Sequence, residues 1–222
     1  MNPVIKAIVF DVGETLIDES RLALRWARRL GVTPLTLLGL IGAAAARGQG
    51  IEAALGLARP GLDVAAEQRR WASDEPDSLR SGFDADDLYP DVRAALAALQ
   101  AAGLQVIISG NQPPEATPAL AAMGLPADVI CNSADLGFEK PDPRFFAAVI
   151  ELAQGLPGQP APSEIAYVGD RFDNDVLPVL AAGLKAIFLR RGIWGALGAN
   201  QAASAGVAVV ESLLELPALL AP

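Results

Sequence analysis

The sequence has no histidine, a single cysteine and three lysines among 222 residues. Without histidine, Ser-His and Cys-His catalysis are excluded, and so is histidine-ligated zinc. The lone Cys131 excludes an internal disulfide and fits a reducing compartment. No basic cluster is present and the formal net charge is −9, which argues against nucleic acid and anionic membrane as partners. Nor does any apolar run reach the ~20 residues that span a bilayer. The most membrane-like stretch, LTLLGLIGAAAA (35–46), reads as a helix of the core or of an insert. The opening MNPVIKAIVFDV does not read as a signal peptide, because its short apolar run ends on Asp11 instead of a small-residue cleavage site. A cytoplasmic protein is expected. Its chemistry must rest on carboxylates, hydroxyls, very few amines, backbone groups and a metal.

What is present is a core. Hydrophobic residues make up 52% of the chain and charged residues 19%, which supports a large buried interior. Short β-branched runs alternate with longer alanine- and leucine-rich segments. The runs are VIKAIVF (4–10), QVIIS (105–109), DVICNS (128–133), IAYVGD (165–170), KAIFLR (185–190) and VAVV (207–210). They are nearly continuous in apolar character, as strands covered on both faces are. Helical patterns lie between them at 91–103, 114–124, 143–155 and 174–183, each closing on a glycine. This alternation predicts an α/β fold with a doubly wound parallel sheet. Residues 18–85 break the rhythm with helical patterns and no strand run. They read as an all-helical insert, with the polar SDEPDSLRSGFDADD (73–87) as its return linker. The expected division is therefore 1–17 with 86–222, and 18–85.

In open α/β sheets, ligands bind beyond the carboxyl ends of the strands. Asp11 closes the first strand; Ser109, Gly110 and Asn111 close the second; Gly169 and Asp170 close the fourth, with Asp173 and Asp175 just after. Lys140 precedes the 143–155 helix in GFEKPDPRFF. Clustered carboxylates repel one another unless a cation joins them, and an oxygen-only ligand set suits a hard ion, Mg²⁺ above all. A carboxylate beside Mg²⁺ and Lys140 stays ionised and is able to act as a nucleophile. Lys140 and nearby backbone amides suit an anion such as phosphate. Each residue also has a plainer reading: Asp11 as a turn residue, Asp170 as a helix cap, Lys140 as a surface lysine. The functional reading draws its weight from all of them falling at one sheet edge.

The segments IVFDVGETL, IISGN, GFEKPDPRFF and VGDRFDNDVLPVLAAG resemble the haloacid dehalogenase superfamily over nearly the whole chain. The resemblance implies a Rossmann-like doubly wound parallel sheet core with an all-helical cap domain inserted after the first strand. It implies a phosphatase that uses Mg²⁺ and acts on a small phosphorylated substrate. Asp11 would attack phosphorus and form an aspartyl-phosphate, which water then hydrolyses. Asp11, the Gly13 carbonyl, Asp170 and Asp175 would hold Mg²⁺. Lys140 would neutralise Asp11 and the phosphoryl group, and Ser109, Gly110 and Asn111 would bind phosphate. Thr15 matches a mainly structural threonine.

Two positions depart from the family pattern. The second aspartate that serves as general acid and base is replaced by Gly13. Such help is worth ~10²–10⁴ in rate, so its loss weakens turnover most for poor leaving groups. Glu14 is a candidate substitute, although neighbouring side chains in an extended stretch point apart. In SGN the family's hydroxyl position falls on Gly110, with Ser109 one residue early. The competing reading is a weak or inactive relative that binds a phosphorylated ligand or a protein partner. A 2-haloacid dehalogenase is disfavoured because Asp170 and Asp175 preserve a metal site. A phosphonoacetaldehyde hydrolase is excluded, since no lysine lies between Lys6 and Lys140 to form a Schiff base. For the insert, Arg21, Arg25 and Arg28 share a helix face that is expected to be solvated, and Trp26 and Trp71 are expected in its core. LRRGIWG, with Arg190, Arg191 and Trp194, follows the fifth strand as a candidate entrance segment.

Overall fold

The structure is a computed structural model that describes residues 4–76 and 82–221. The chain divides into two compact units: Met1–Ile17 with Leu88–Pro222, and Asp18–Asp87.

The first unit is built on six parallel strands: β1 (Ala7–Phe10), β2 (Gln105–Ile108), β3 (Val129–Ile130), β4 (Ile165–Gly169), β5 (Lys185–Leu189) and β6 (Ala208–Val210). Their order is β3-β2-β1-β4-β5-β6. The chain winds outward from β1 in one direction and from β4 in the other, so the order reverses between these two neighbours. Register places Phe10 opposite Ile108 on one side and Val168 on the other. All four residues of β1 and all five of β4 are buried, because helices cover both faces of the sheet.

Those helices, numbered after the four of the second unit, are α5 (Val92–Ala101), α6 (Ala116–Ala122), α7 (Ser133–Leu136), α8 (Pro143–Gln154), α9 (Leu177–Ala181), α10 (Gly192–Ser204) and α11 (Leu216–Leu219). The start of α8 bears on the site. Asp142 accepts a hydrogen bond from Arg144 N at the cap, and Pro143 supplies a preset first turn. Its Phe145, Phe146, Val149 and Ala153 pack in one core cluster with Val9, Ile107, Tyr167 and Phe188. Phe146 meets Tyr167 edge-on at 5.9 Å. Burying each such aromatic is worth about 2–3 kcal/mol, so α8 is held rigidly against the sheet.

Two segments differ from the sequence expectation. The 128–133 run is a strand only at Val129–Ile130, and Ser133 already opens α7. Asn132 takes the cap position there, and its backbone N–H is bonded by Asp135 at 2.8 Å. The 174–183 helix does not begin at Asn174. A π-helical turn spans Phe172–Val176, and α9 follows with Pro178 in its first turn. Pro178 has no N–H to give to that earlier turn.

The second unit holds α1 (Ser20–Leu30), α2 (Pro34–Ala45), α3 (Ile51–Ala58) and α4 (Val64–Asp74), and among its described residues no strand occurs. Gly31 ends α1 in the left-handed conformation, with φ 72°. Trp26 and Trp71 are buried and pack edge-to-face at 5.2 Å. The arginines on α1 are mostly drawn into the unit itself. Arg21 binds Asp84 at 2.9 Å and Asp87 at 2.6 Å, Arg25 donates to the Gly82 carbonyl, and Arg29 binds Glu67 at 2.7 Å. Arg28 is exposed. Residues 77–81 of the polar return segment lie outside the described residues. Among the described residues, no helix is long and apolar enough to cross a membrane.

Candidate active site

The reversal in strand order places the ends of β1 and β4 side by side, and the buried charge gathers there. Asp11 follows β1, Asp170 follows β4, and Asp175 comes from the π-helical turn after it. One carboxylate oxygen from each of the three lies within 4.8 Å of the others. All three residues are buried, with Asp175 fully so. Lys140 reaches them from the loop before α8. Its Nζ donates to Asp11 Oδ1 at 2.7 Å and to Asp175 Oδ1 at 2.6 Å. The other oxygen of Asp175 accepts the Arg171 backbone N–H at 2.9 Å.

Two glycines make this crowding possible. A Cβ on Gly169 would stand 2.3 Å from the Asp175 carboxyl carbon. A Cβ on Gly110 would stand 2.4 Å from Asp11 Oδ1 and 3.1 Å from Val12 N. Glycine is therefore needed at both strand ends for close approach. The π-helical turn has a matching role, since it is there that Asp175 is carried back to Lys140; such turns recur at functional sites.

Three carboxylates face one ammonium, and burial makes the imbalance costly. Burial pushes the Asp170 carboxyl well above its usual range, and the charges of Asp175 and Asp11 push it the same way. Burial likewise lifts Asp175, which Lys140 only partly offsets, to about 6. Burial alone would lower Lys140, but the charges of Asp11 and Asp175 outweigh it and hold the ammonium protonated. Asp170 Oδ2 is buried with no hydrogen-bond partner. A bound cation would remove the excess charge, and Asp11, Asp170 and Asp175 are the residues able to hold one.

The remaining expected site residues fall into different places. Asn111 clamps the backbone of Lys140 at two points: its Nδ2 donates to Lys140 O at 2.8 Å, and its Oδ1 accepts Lys140 N–H at 2.7 Å. Ser109 is fully buried and its Oγ has no partner, while its carbonyl accepts the Tyr167 hydroxyl at 2.7 Å. Gly110 N donates to Asn132 Oδ1 at 3.0 Å. Gly13 takes part in an isolated bridge with Ile17. Among the described residues, the backbone N–H groups of Val12, Gly13 and Asn111 donate to no protein acceptor. Asp173 turns away to pair with Arg171 at 2.6 Å.

Some contributors were not evident from the sequence. Asn132 braces Gly110, but it sits in a run that reads as a strand through Ser133. Arg191 reads from the sequence only as part of a candidate entrance segment. Its Nη1 donates to Thr15 O at 2.8 Å, its Nη2 to Asp91 Oδ2 at 2.5 Å, and its guanidinium lies 4.2 Å from the Tyr89 ring centroid. No periodicity signals pairings so far apart in sequence.

A family model described as haloacid dehalogenase-like hydrolase matches residues 5–183. The glyceraldehyde 3-phosphate phosphatase of Methanopyrus kandleri is 28% identical over 204 residues, covering 85% of each chain. The phosphoserine phosphatase of Thermus thermophilus is 34% identical over 109 residues; the match takes in 48% of this chain and 42% of that protein, so the chain spans less than half of that relative. Among solved structures, YfnB from Bacillus subtilis, a HAD-hydrolase bound to magnesium, superposes with a TM-score of 0.68 at 17% identity and covers 99% of this chain and 100% of its own. At that identity the likeness speaks for the fold alone.

Proposed function

The chain belongs to the haloacid dehalogenase-like hydrolases, and within that family we propose that it is a Mg²⁺-dependent phosphohydrolase. Its substrate is a small phosphorylated metabolite, and its intermediate is an aspartyl-phosphate on Asp11. The single observation that carries this reading is the buried Lys140 ammonium, hydrogen-bonded to both Asp11 and Asp175 beside an unpartnered Asp170 oxygen. A core would not retain that excess of negative charge for stability. A buried ion pair is weak support for a fold, whereas a phosphoryl-transfer site needs one.

The donor set fits Mg²⁺. Every candidate ligand is an oxygen, three carboxylates converge, and an orphaned buried oxygen awaits a positive partner. Asp11, Asp170 and Asp175 would hold the ion, with the Gly13 carbonyl as a further ligand. When bound, the ion neutralises the carboxylates and draws charge from the phosphoryl oxygens. The protein's own residues do the rest. Lys140 orients Asp11 through Oδ1 and sets a positive charge beside it. An Asp11 oxygen then bonds to phosphorus as the bond to the leaving oxygen breaks, with Lys140 countering charge on the transferring group. Water attacks the aspartyl-phosphate, releasing phosphate and restoring Asp11. The free N–H groups of Val12, Gly13 and Asn111 supply donors for the phosphoryl oxygens. Two relatives named for phosphatases of three-carbon phosphate esters support a substrate of that size.

Gly13 supplies no acid for the leaving group. That observation favours one second reading, a weakly active or inactive relative that holds a phosphorylated ligand or a partner. Hydrolysis of p-nitrophenyl phosphate separates the two, because its leaving group needs little protonation. Turnover that requires Mg²⁺, stops in EDTA and is lost in Asp11→Asn is the expected result. A rate equal to the Asp11→Asn background would select the binder.

A further inference from the structure

The loop that carries Asp11 contains a strained residue. Glu14 has φ 52°, in the left-handed region that a side chain with a Cβ disfavours. Such strain persists only where the surroundings impose it, and it concentrates at functional sites. Here the surroundings can be named. The Tyr89 hydroxyl donates to Glu14 Oε2 at 2.8 Å. Gly192, itself left-handed with φ 65°, leaves room for the same carboxylate: a Cβ there would stand 2.3 Å from Glu14 Oε2. The ring of Tyr89 lies against the Arg191 guanidinium at 4.2 Å, and Arg191 donates to the carbonyl of Thr15, the residue after Glu14. Asp91 anchors Arg191 from the start of α5, and it is held in turn by Ser212 Oγ at 2.7 Å and Leu213 N at 3.0 Å. The result is a closed circuit from Glu14 through Tyr89 and Arg191 back to Thr15. Every member belongs to the first unit.

We propose that Glu14 is a positioning residue, whose carboxylate, gripped by the Tyr89 hydroxyl and seated over Gly192, holds the turn that follows the Asp11 nucleophile. Glu14 would then not replace the missing acid at Gly13. Its contribution is the fixed backbone of residues 11–15, and with it the Gly13 carbonyl and the Val12 and Gly13 N–H groups. The inference deepens the phosphohydrolase reading and rests on it for its kinetic arm. The circuit itself does not.

A general acid and a positioning acceptor respond differently to amide replacement. Glu14→Gln keeps an oxygen that accepts from Tyr89 but cannot deliver a proton. Glu14→Ala loses both roles. Tyr89→Phe removes only the grip and keeps the ring beneath Arg191. With p-nitrophenyl phosphate, Glu14→Gln should stay within about threefold of wild type, while Glu14→Ala and Tyr89→Phe each lose about tenfold or more in kcat, in protein that remains folded by circular dichroism. The double variant Glu14→Ala/Tyr89→Phe should be no worse than the poorer single one, since both break one contact. Calorimetric titration with Mg²⁺ alone should rank the proteins in the same order of affinity. That arm stands even if the wild type hydrolyses nothing, which would refute the phosphohydrolase reading separately. Glu14→Gln as damaging as Glu14→Ala, additive losses in the double variant, or Mg²⁺ affinity equal in the wild type and all four variants would each overturn the proposal.

Discussion

The crowding of three buried carboxylates around one lysine makes the metal-free protein respond to pH in an unusual direction. Most carboxylates in folded proteins lose stability as pH falls. Asp175 does the reverse, because its folded value is pushed up to about 6 from 3.8. In the pH range between those two values the folded state holds a proton that the unfolded state has released. Stability therefore falls as pH rises through the window. A shift of about 2 units at ~1.4 kcal/mol per unit amounts to roughly 3 kcal/mol by pH 7. Asp170, also raised by burial and by the charges of Asp175 and Asp11, adds in the same direction. Lys140 leaves the window undisturbed. Its folded value is raised, so its stabilisation is complete below its unfolded value and is lost only in strong alkali. Carboxylates that act in the ordinary sense, such as Asp142, pulled down to about 2 by Arg144, do so below about pH 4.

The assay is the urea midpoint from pH 4.5 to 7.5, in EDTA and in millimolar Mg²⁺. In EDTA the protein should lose about 2 kcal/mol across the range from Asp175 alone, because about 1.5 units of its shift lie above pH 4.5, and Asp170 adds to that loss. Mg²⁺ binds the ionised carboxylates, so its stabilising effect should be small at pH 4.5 and grow toward pH 7. Asp175→Asn should flatten the EDTA curve. A metal-free protein that gains stability over this range, together with a Mg²⁺ effect independent of pH, would refute the reasoning that the cluster is an unneutralised cation site.

Two substitutions test the packing of the site. Gly169→Ala sets a Cβ 2.3 Å from the Asp175 carboxyl carbon, where ordinary contact begins near 3.4 Å; Asp175 must then yield its bonds to Lys140 and Arg171 N, which are worth ~1.5–3 kcal/mol each. Mg²⁺-dependent turnover should fall at least tenfold and the urea midpoint should drop, and a variant with wild-type values for both would show that Asp175 is not held as described. Asn111→Ala removes both bonds to the Lys140 backbone, a stability loss of about 1–3 kcal/mol. If Asn111 acts by placing Lys140, kcat should fall about tenfold in protein that remains folded by circular dichroism, and an unchanged kcat would count against that role.

Much of the architecture is legible in the sequence, and the reasons are local. Apolar runs such as AIVF and IAYVG, separated by helical periodicity, require strands covered on both faces, and the six-stranded parallel sheet follows. Where local signals conflict, the reading is less accurate. DVICNS has strand composition throughout, yet Asn132 and Ser133 open a helix because they bond to Asp135 and to the Gly110 carbonyl. The helix expected from Asn174 begins later, since Pro178 and the demand for Asp175 at Lys140 impose a π-helical turn.

The sequence by itself determined which residue types are available for chemistry. It has no histidine, one cysteine, three lysines, and carboxylates placed at the carboxyl ends of two strands. That placement is a matter of alternation and chain order, both of which are local properties. Only the tertiary structure decided which partners these groups find. Lys140 lies 129 residues from Asp11 and 35 from Asp175, yet it bonds to both. The Asn111 side chain clamps the Lys140 backbone, and Glu14 is held in a left-handed turn with its carboxylate bonded to Tyr89 and seated against Gly192. Contacts like these depend on shape and distance across the folded chain, where hydrogen-bond geometry and the exclusion of water settle them and no sequence periodicity records them.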